Sequence, residues 1–347
     1  AFFSRTKKLY HPNKINFYAK FEDKILKAFQ VTNFEKTPTI EDIQTPYPKP
    51  DQIRLKIMSC GLNFADILLK NGTYQETPSL PFVLGMEVSG VVDALGSNVN
   101  KFAIGDRVAV FGGHGGLAEY GCFDVSRCVK LISEMNFDDA AAFQIAYGTS
   151  HLALGYKAQT KPGDTLLVLG ASGGVGLTAV QLGKLMGARV VGVARGTEKM
   201  EIVKKEGADY VFDADDPNLI SHLKELGGID VVYDAVGGDQ FKSAFKSCNP
   251  EARIILIGFA SGNLPQLKAN HLLVKNITVH GFYWGGFLQF KPNVVTESLK
   301  QLFEWYEADR IKPYISHKFT LDQAEDALNL LKNRKSTGKV VVKIQES

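Results

Sequence analysis

The stretch Thr165-Leu-Leu-Val-Leu-Gly170-Ala-Ser172-Gly173-Gly174-Val175-Gly176-Leu177 decides the fold. An apolar run, Thr165–Leu169, leads straight into glycines and then into a segment with Leu177, Val180, Leu182 and Leu185 at helical spacing. Strand, glycine turn and helix in that order form the context of a dinucleotide fingerprint. Glycine is needed for the tight turn, for close approach of backbone to a pyrophosphate, and for helix-on-strand packing. The helix start then offers free amides and a positive dipole end to phosphate. The spacing here is Gly170-x-x-Gly173-x-x-Gly176 rather than G-x-G-x-x-G. The bland alternative is a glycine-rich turn with no ligand, and the surrounding pattern weighs against it.

Downstream, strands at Arg189–Ala194, 209–212, 231–234 and 253–257 alternate with helices at 174–186, 197–206, 217–226 and 240–247. Apolar β-branched runs alternating with helices predict a parallel sheet wrapped by crossovers, an α/β unit. Upstream the texture differs. Short strands are predicted at 27–34, 52–59, 88–94 and Arg107–Phe111, set apart by Pro46, Pro48, Pro50 and by glycine or asparagine turns. That spacing suggests a β barrel or sandwich. One helix is expected over 138–156, others over 294–307 and 321–333, and a closing strand over 339–344.

The second strand of the alternating region ends at Ala194-Arg195-Gly196-Thr197. An NAD site usually places an acid there, whereas a basic residue suits a 2′-phosphate. Arg195, followed by Lys199, therefore predicts NADPH; the alternative is a solvated surface arginine.

The 347 residues suggest two domains. Forty basic against 37 acidic residues leave a net charge of +3, too small to argue for a nucleic-acid partner. No apolar run reaches the roughly 18 residues of a membrane span. Cys60, Cys122, Cys128 and Cys248 form no CxxC pair. They read as small buried hydrophobes in a reducing compartment. The first 21 residues carry five basic side chains and no acid. Such a start resembles a mitochondrial transit segment, which gives an expected location on the matrix side; a basic tail of a cytoplasmic protein is the alternative.

Several motifs together carry a resemblance. Gly163-Asp164, Ala171-Ser-Gly-Gly174, Gly176, Gln181 and Lys184 stand in one run. Around it lie Cys60-Gly-Leu-Asn63-Phe-Ala-Asp66, Leu84-Gly-Met-Glu87-Val-Ser-Gly90, Val231-Val-Tyr-Asp234-Ala-Val-Gly-Gly238, Leu272-Leu-Val-Lys-Asn-Ile277, Tyr283-Trp-Gly285 and Arg334-Lys-Ser-Thr-Gly-Lys339. The chain from about Lys27 to Ile344 resembles the zinc-independent quinone oxidoreductase (zeta-crystallin-like) branch of the medium-chain dehydrogenase/reductases.

The resemblance implies a GroES-like β-rich catalytic domain split over 27–150 and 288–347, around a Rossmann domain at 151–287, with 1–26 as an extension. It implies that the glycine turn, Ser172 and Val175 included, holds NADPH. Lys199 and Lys339 would lie near its phosphates, Thr149 near the nicotinamide ribose, and Gly258 and Phe259 by the nicotinamide. Asn63 takes the position of the superfamily's cysteine zinc ligand and Met86 that of its histidine; neither is a plausible zinc ligand beside one carboxylate. No metal is therefore expected, and Glu87 and Asp234 read as structural. Asn63 and Tyr74 are the candidates for orienting substrate, with loops at Gly112–Gly116 and Gly285–Gly286 shaping its pocket. Asp213 and Ala214 replace a tyrosine that the family often places beside the 2′-phosphate.

The activity implied is hydride delivery to a quinone or an α,β-unsaturated carbonyl. The competing expectation is a nucleotide-binding accessory subunit of a larger mitochondrial assembly. A homodimer through the Rossmann edge strand, near 274–281, is the expected self-association.

Overall fold

The structure, a computed structural model, describes residues 25–346. The basic start, and the location inferred from it, lie outside those residues, as does the expected 1–26 extension apart from Ile25 and Leu26.

The β-rich unit opens with β1 (Ile25–Val31), β2 (Thr39–Gln44), β3 (Gln52–Leu62), α1 (Phe64–Lys70), β4 (Phe82–Val83), β5 (Glu87–Leu95), β6 (Arg107–Phe111), β7 (Tyr120–Asp124) and β8 (Cys128–Lys130). Next come α2 (Phe137–Ala141) and α3 (Gln144–His151), which runs into a π-helical turn, Leu152–Lys157. The single helix expected over 138–156 is therefore broken. The physical reason lies across the domain: Glu87 Oε1 accepts the Ile145 N–H at 2.9 Å. An amide of the new first turn is satisfied by that carboxylate, so the helix restarts there.

The parallel unit contains β9 (Thr165–Leu169), α4 (Gly174–Leu185), β10 (Arg189–Ala194), α5 (Thr197–Lys205), β11 (Tyr210–Asp213), α6 (Leu219–Glu225), β12 (Ile229–Asp234), α7 (Gly238–Ser247), β13 (Cys248–Leu256), α8 (Ala269–Lys275) and β14 (Thr278–Gly281). Its six strands run in the order β11-β10-β9-β12-β13-β14. Every residue of β9 is buried. Leu166 and Val168 face one apolar cluster, and Leu167 and Leu169 face another on the opposite side. A strand covered on both faces must be continuously apolar, which is why this run was so legible.

After β14 come α9 (Trp284–Phe290), α10 (Pro292–Glu307), β15 (Ile315–Thr320), α11 (Ala324–Lys332) and β16 (Lys339–Lys343). The last strand returns to the first unit. The seven-stranded sheet runs β15-β16-β3-β5-β6-β8, with β7 also paired to β3. β3 is long enough to serve two partners on one edge: Gln52–Lys56 pairs with β7 and Ser59–Leu62 with β16. β2 and β15, with sequences TIEDIQ and ISHKFT, gave little warning. No residue of either is fully buried, so neither carries a strong apolar face.

The two units share one buried cluster that includes Ile57, Val88, Phe143, Leu166 and Val180. The two units are therefore close-packed against each other around a common core.

Candidate functional site

The glycine turn lies at the carboxyl end of β9, beside that of β12. Strand order reverses direction between those two strands, and ligands of open α/β sheets bind at such a point. Gly170 has φ +71°, a conformation that favours glycine. A Cβ on Gly176 would lie 2.1 Å from the Gly170 carbonyl oxygen, so no side chain fits. Gly173 caps α4 with no side-chain hydrogen bond, which leaves the first-turn amides for another acceptor. These features fit a dinucleotide pyrophosphate. Ser172 and Val175 are held through their carbonyls, which accept from Gly338 N–H at 2.8 Å and from the Ser150 hydroxyl at 2.9 Å. Thr149 is buried on α3, one residue before Ser150.

Beyond β12, Asp234 Oδ1 accepts from the amides of Val236 at 2.9 Å and Gly237 at 2.8 Å. The side chain ties down the second loop of the crevice. Burial raises its pKa above the ordinary carboxyl value, and Oδ2 has no partner. Gly258 donates its N–H to the Asp234 carbonyl at 3.2 Å, and Phe259 beside it is exposed.

At the end of β10, the Arg195 guanidinium forms a forked pair with Asp215, at 3.0 and 3.1 Å. Asp213 accepts the Gly196 N–H at 2.9 Å and the Asp215 N–H at 2.8 Å. Two acids thus stand around the arginine chosen from sequence for a 2′-phosphate. Lys199 donates to the carbonyls of Arg334 at 2.6 Å and Ser336 at 2.8 Å, fastening the loop ahead of β16. Its ammonium is directed to these carbonyls.

That loop delivers Lys339. Gly338 bridges to Gly173, and the Lys339 stem passes over Gly174. The ammonium then continues past the glycine turn to Asn63 Oδ1 at 2.7 Å and Glu87 Oε2 at 3.1 Å. Asn63 Nδ2 donates to the same Glu87 oxygen at 3.2 Å. Lys339, expected near the phosphates, touches that turn with its stem, while its charge is engaged by the neighbouring carboxylate.

Asn63 is the N-cap of α1, and its N–H donates to Asp66 Oδ2 at 2.8 Å. Asp66 Oδ1 accepts from Met86 N–H at 3.1 Å. Burial raises the Asp66 pKa to about 7, against the lowering effect of these amides and of Lys339. Asp66, Glu87 and Lys339 form one buried cluster behind Asn63. The spacing Asn63-x-x-Asp66 is a capping-box signal that could have revealed part of it.

A cavity of about 340 Å³ reaches Met86, whose N–H donates to Asp66, and is lined by Tyr74, Glu76, Met86, Phe111, His114 and Arg127 among others. Tyr74 donates its hydroxyl proton to Tyr283 Oη at 3.5 Å, a long contact between edge-on rings. Burial holds the Tyr74 phenol well above its ordinary pKa, so it is a proton-bearing donor at neutral pH. Burial, then the Arg127 charge, lowers the pKa of His114 and favours its neutral form. Tyr283 stands in the Tyr283-Trp-Gly285 motif, but nothing in the sequence spacing signals that it meets Tyr74. Among the described residues, no three of His, Cys, Asp and Glu gather as a metal-holding group.

Two family models match the chain: the alcohol dehydrogenase GroES-like domain over residues 49–133, and zinc-binding dehydrogenase over residues 174–305. The chain is 41% identical over 330 residues to a quinone oxidoreductase-like protein 2 homolog from Nematostella vectensis, covering 93% of this chain and 90% of that one. It is 36% identical to quinone oxidoreductase-like protein 2 of Bos taurus, covering 89% and 90%. Among solved structures, a mycobacterial protein complexed with NADPH matches with TM-score 0.86 at 28% identity, covering 92% of this chain and all of that one. The quinone oxidoreductase of Thermus thermophilus, solved alone and with NADPH, matches with TM-score 0.81 at 30% identity, again over 92% of this chain and all of that one. With a GroES-like unit, a doubly wound nucleotide fold and relatives of this similarity over most of its length, the chain belongs to the quinone oxidoreductase-like family of medium-chain dehydrogenase/reductases, a family of oxidoreductases.

Proposed function

We propose that this protein is an NADPH-dependent, zinc-independent reductase acting on a quinone or an α,β-unsaturated carbonyl. One observation carries the reading: the strand bearing Lys339 joins the glycine turn to Asn63 and Glu87, so cofactor cradle and polar cluster form one site.

When bound, reduced nicotinamide supplies a hydride, and the acceptor's oxygen gains negative charge. The protein's part is to place that oxygen near fixed donors and to exclude water. Asn63 and Tyr74 are the residues proposed to orient the acceptor. Tyr74 stays protonated and, on releasing Tyr283, would donate to the oxygen rather than act as a base. Lys339 supplies a buried positive charge next to Asn63. Thr149, Gly170, Ser172, Gly173, Gly174, Val175 and Gly176 would hold the ribose and pyrophosphate, and Gly258 and Phe259 would flank the nicotinamide. Arg195 and Lys199 would meet the 2′-phosphate, Arg195 by exchanging Asp215 for it. Zinc independence rests on donor chemistry: an amide and a thioether stand where metal ligands would be needed.

We further propose a mitochondrial matrix location, supported by the basic, acid-free start. Self-association through β14 is supported by its place at the sheet edge and by exposed Leu273 and Val274 on the preceding α8.

Titration with NADPH and NADH, followed by turnover with a quinone and an enone, tests the reading. Tight NADPH binding and turnover of either acceptor are expected. Binding without turnover on any acceptor would favour the accessory subunit, and binding of neither nucleotide would reject the cofactor and the enzyme together.

A further inference from the structure

The cavity of about 340 Å³ is lined from the stretches 74–78 and 111–114, with Met86 and Arg127. Its charged lining residues are Glu76 and Arg127, and His114 favours its neutral form. The two charges are not equally engaged. Glu76 is exposed and accepts from Gln289 Nε2 on α9 at 3.1 Å. Arg127 is half-buried and ends the helical turn Val125–Arg127 between β7 and β8. Among the described residues, no carboxylate pairs with it. The acid nearest in sequence, Asp124, accepts instead from the Ser126 N–H at 3.2 Å and from its hydroxyl at 2.9 Å.

The guanidinium is nevertheless fixed at the cavity. Its Nη1 donates to the Gly112 carbonyl at 3.4 Å, and a Cβ on Gly113 would lie 3.4 Å from the same nitrogen. The group also lies over the Phe111 ring at 5.9 Å. Gly112, Gly113 and Phe111 all line the cavity. A guanidinium carries five N–H donors, and this single long bond engages one of them. The planar fork matches a carboxylate through two parallel bonds, which are strong in partly desolvated surroundings. The same cavity offers apolar surface from Met86 and Phe111 and the protonated phenol of Tyr74.

We propose that this cavity selects anionic acceptors: Arg127 pairs with a carboxylate on the molecule whose carbonyl oxygen meets Tyr74. The substrate class is then an α,β-unsaturated ketone bearing a carboxylate, in preference to a neutral quinone. The inference rests on the reading of this cavity as the acceptor site, but it is tested by binding, so the two can fail separately.

The test is calorimetry on the full chain with three unreactive probes: 4-oxo-4-phenylbutanoate, its primary amide, and 4-phenylbutanoate, which lacks the ketone. The keto acid should bind at least about tenfold more tightly than its amide, as a charge-assisted pair warrants. Arg127→Met should bring these two together by weakening only the acid, and Arg127→Lys should keep part of the preference. Tyr74→Phe should weaken the keto acid severalfold and leave 4-phenylbutanoate unchanged, which would tie ketone and carboxylate to one cavity. No binding of any probe, equal affinity for acid and amide, a preference that survives Arg127→Met, or no effect of Tyr74→Phe overturns the proposal. An Arg127-dependent preference without turnover of the matching enone, 4-oxo-4-phenylbut-2-enoate, by NADPH would uphold the anion site and reject the reductase. Turnover of neutral enones without any preference for the acid would do the reverse.

Discussion

Lys339 Nζ lies 2.7 Å from Asn63 Oδ1 and 3.1 Å from Glu87 Oε2, joining positions 276 and 252 residues apart in the chain. The ion pair is almost wholly buried, with side-chain exposures of 4% for Lys339 and 0% for Glu87. It connects the closing strand, the capped start of α1 and the edge of β5 at the place where the glycine turn meets the β-rich unit. A cation is thereby held beside the position proposed to orient the acceptor.

Lys339→Met leaves Glu87 buried without its cation, and removal of one partner of such a pair costs roughly 3–5 kcal/mol. The double variant Lys339→Met/Glu87→Gln should recover much of that loss, because no unpaired charge remains. Equilibrium denaturant unfolding of the three proteins measures both effects. Equal stability of the single variant and the wild type would mean that the pair does not exist in solution.

Gly176→Ala places a methyl group 2.1 Å from the Gly170 carbonyl oxygen. The turn must move, and its amides move with it. Nucleotide affinity should fall at least about a hundredfold, equivalent to ~3 kcal/mol. Gly105→Ala is the control; a Cβ there meets nothing within 4 Å, though its φ of +92° costs some stability. Fluorescence titration should show the control binding as wild type does.

Arg195 and Asp215 are both largely exposed, at 63% and 68% of the side chain. Such a pair contributes at most about 1 kcal/mol to stability. Its consequence is for selectivity, since Asp215 occupies the guanidinium that a 2′-phosphate would need. Asp215→Asn should tighten NADPH binding severalfold and leave NADH unchanged, while Arg195→Glu should weaken NADPH far more than NADH. Parallel changes for both nucleotides in either variant would remove Arg195 from the 2′-phosphate site.

The parallel unit was legible because its physics is local. Thr165–Leu169 is buried on both faces, and Gly170 and Gly176 stand where no Cβ fits, so residue type alone marks strand and turn. β2 and β15 carry little such signal, because no residue of either is fully buried. The break after α2 was missed because its cause is Glu87, 58 positions from Ile145. For the same reason Asn63, Tyr74 and Lys339 could be selected singly, but not their mutual contacts: Lys339 with Asn63, and Tyr74 with Tyr283. Such pairings are decided by sheet register and domain packing.

The four cysteines should be slow to alkylate at pH 8. Burial pushes the thiols of Cys122, Cys128 and Cys248 up to about 12, and Cys60 is raised as well with its side chain in the core. The thiolate is the nucleophile, so a raised pKa means little reactive form at neutral pH. Iodoacetamide labelling followed by mass spectrometry should show Cys122 and Cys128, the partly exposed pair, gaining label first as pH rises toward 10. Rapid labelling of Cys60 at pH 7 would show that the β3 core opens readily.

Asp66 should give stability a particular pH dependence. Its carboxyl has an ordinary value of 3.8, which burial raises to about 7 in the folded protein. Between those values the folded state keeps a proton that the unfolded chain has lost. Stability from this group is therefore fully present below the ordinary value and falls as pH rises toward 7, with no further change once both states are ionised. The slope approaches about 1.4 kcal/mol per pH unit where the states differ by one proton. Asp66→Asn has no such proton to lose, although it gives up an acceptor for one of the Asn63 and Met86 amides. The unfolding free energy of the wild type minus that of Asp66→Asn should fall steadily between pH 4 and pH 7 and level off above. A difference that stays flat, or rises, across that window would mean that Asp66 ionises in the folded protein as easily as in water, with the cluster behind Asn63 open to solvent.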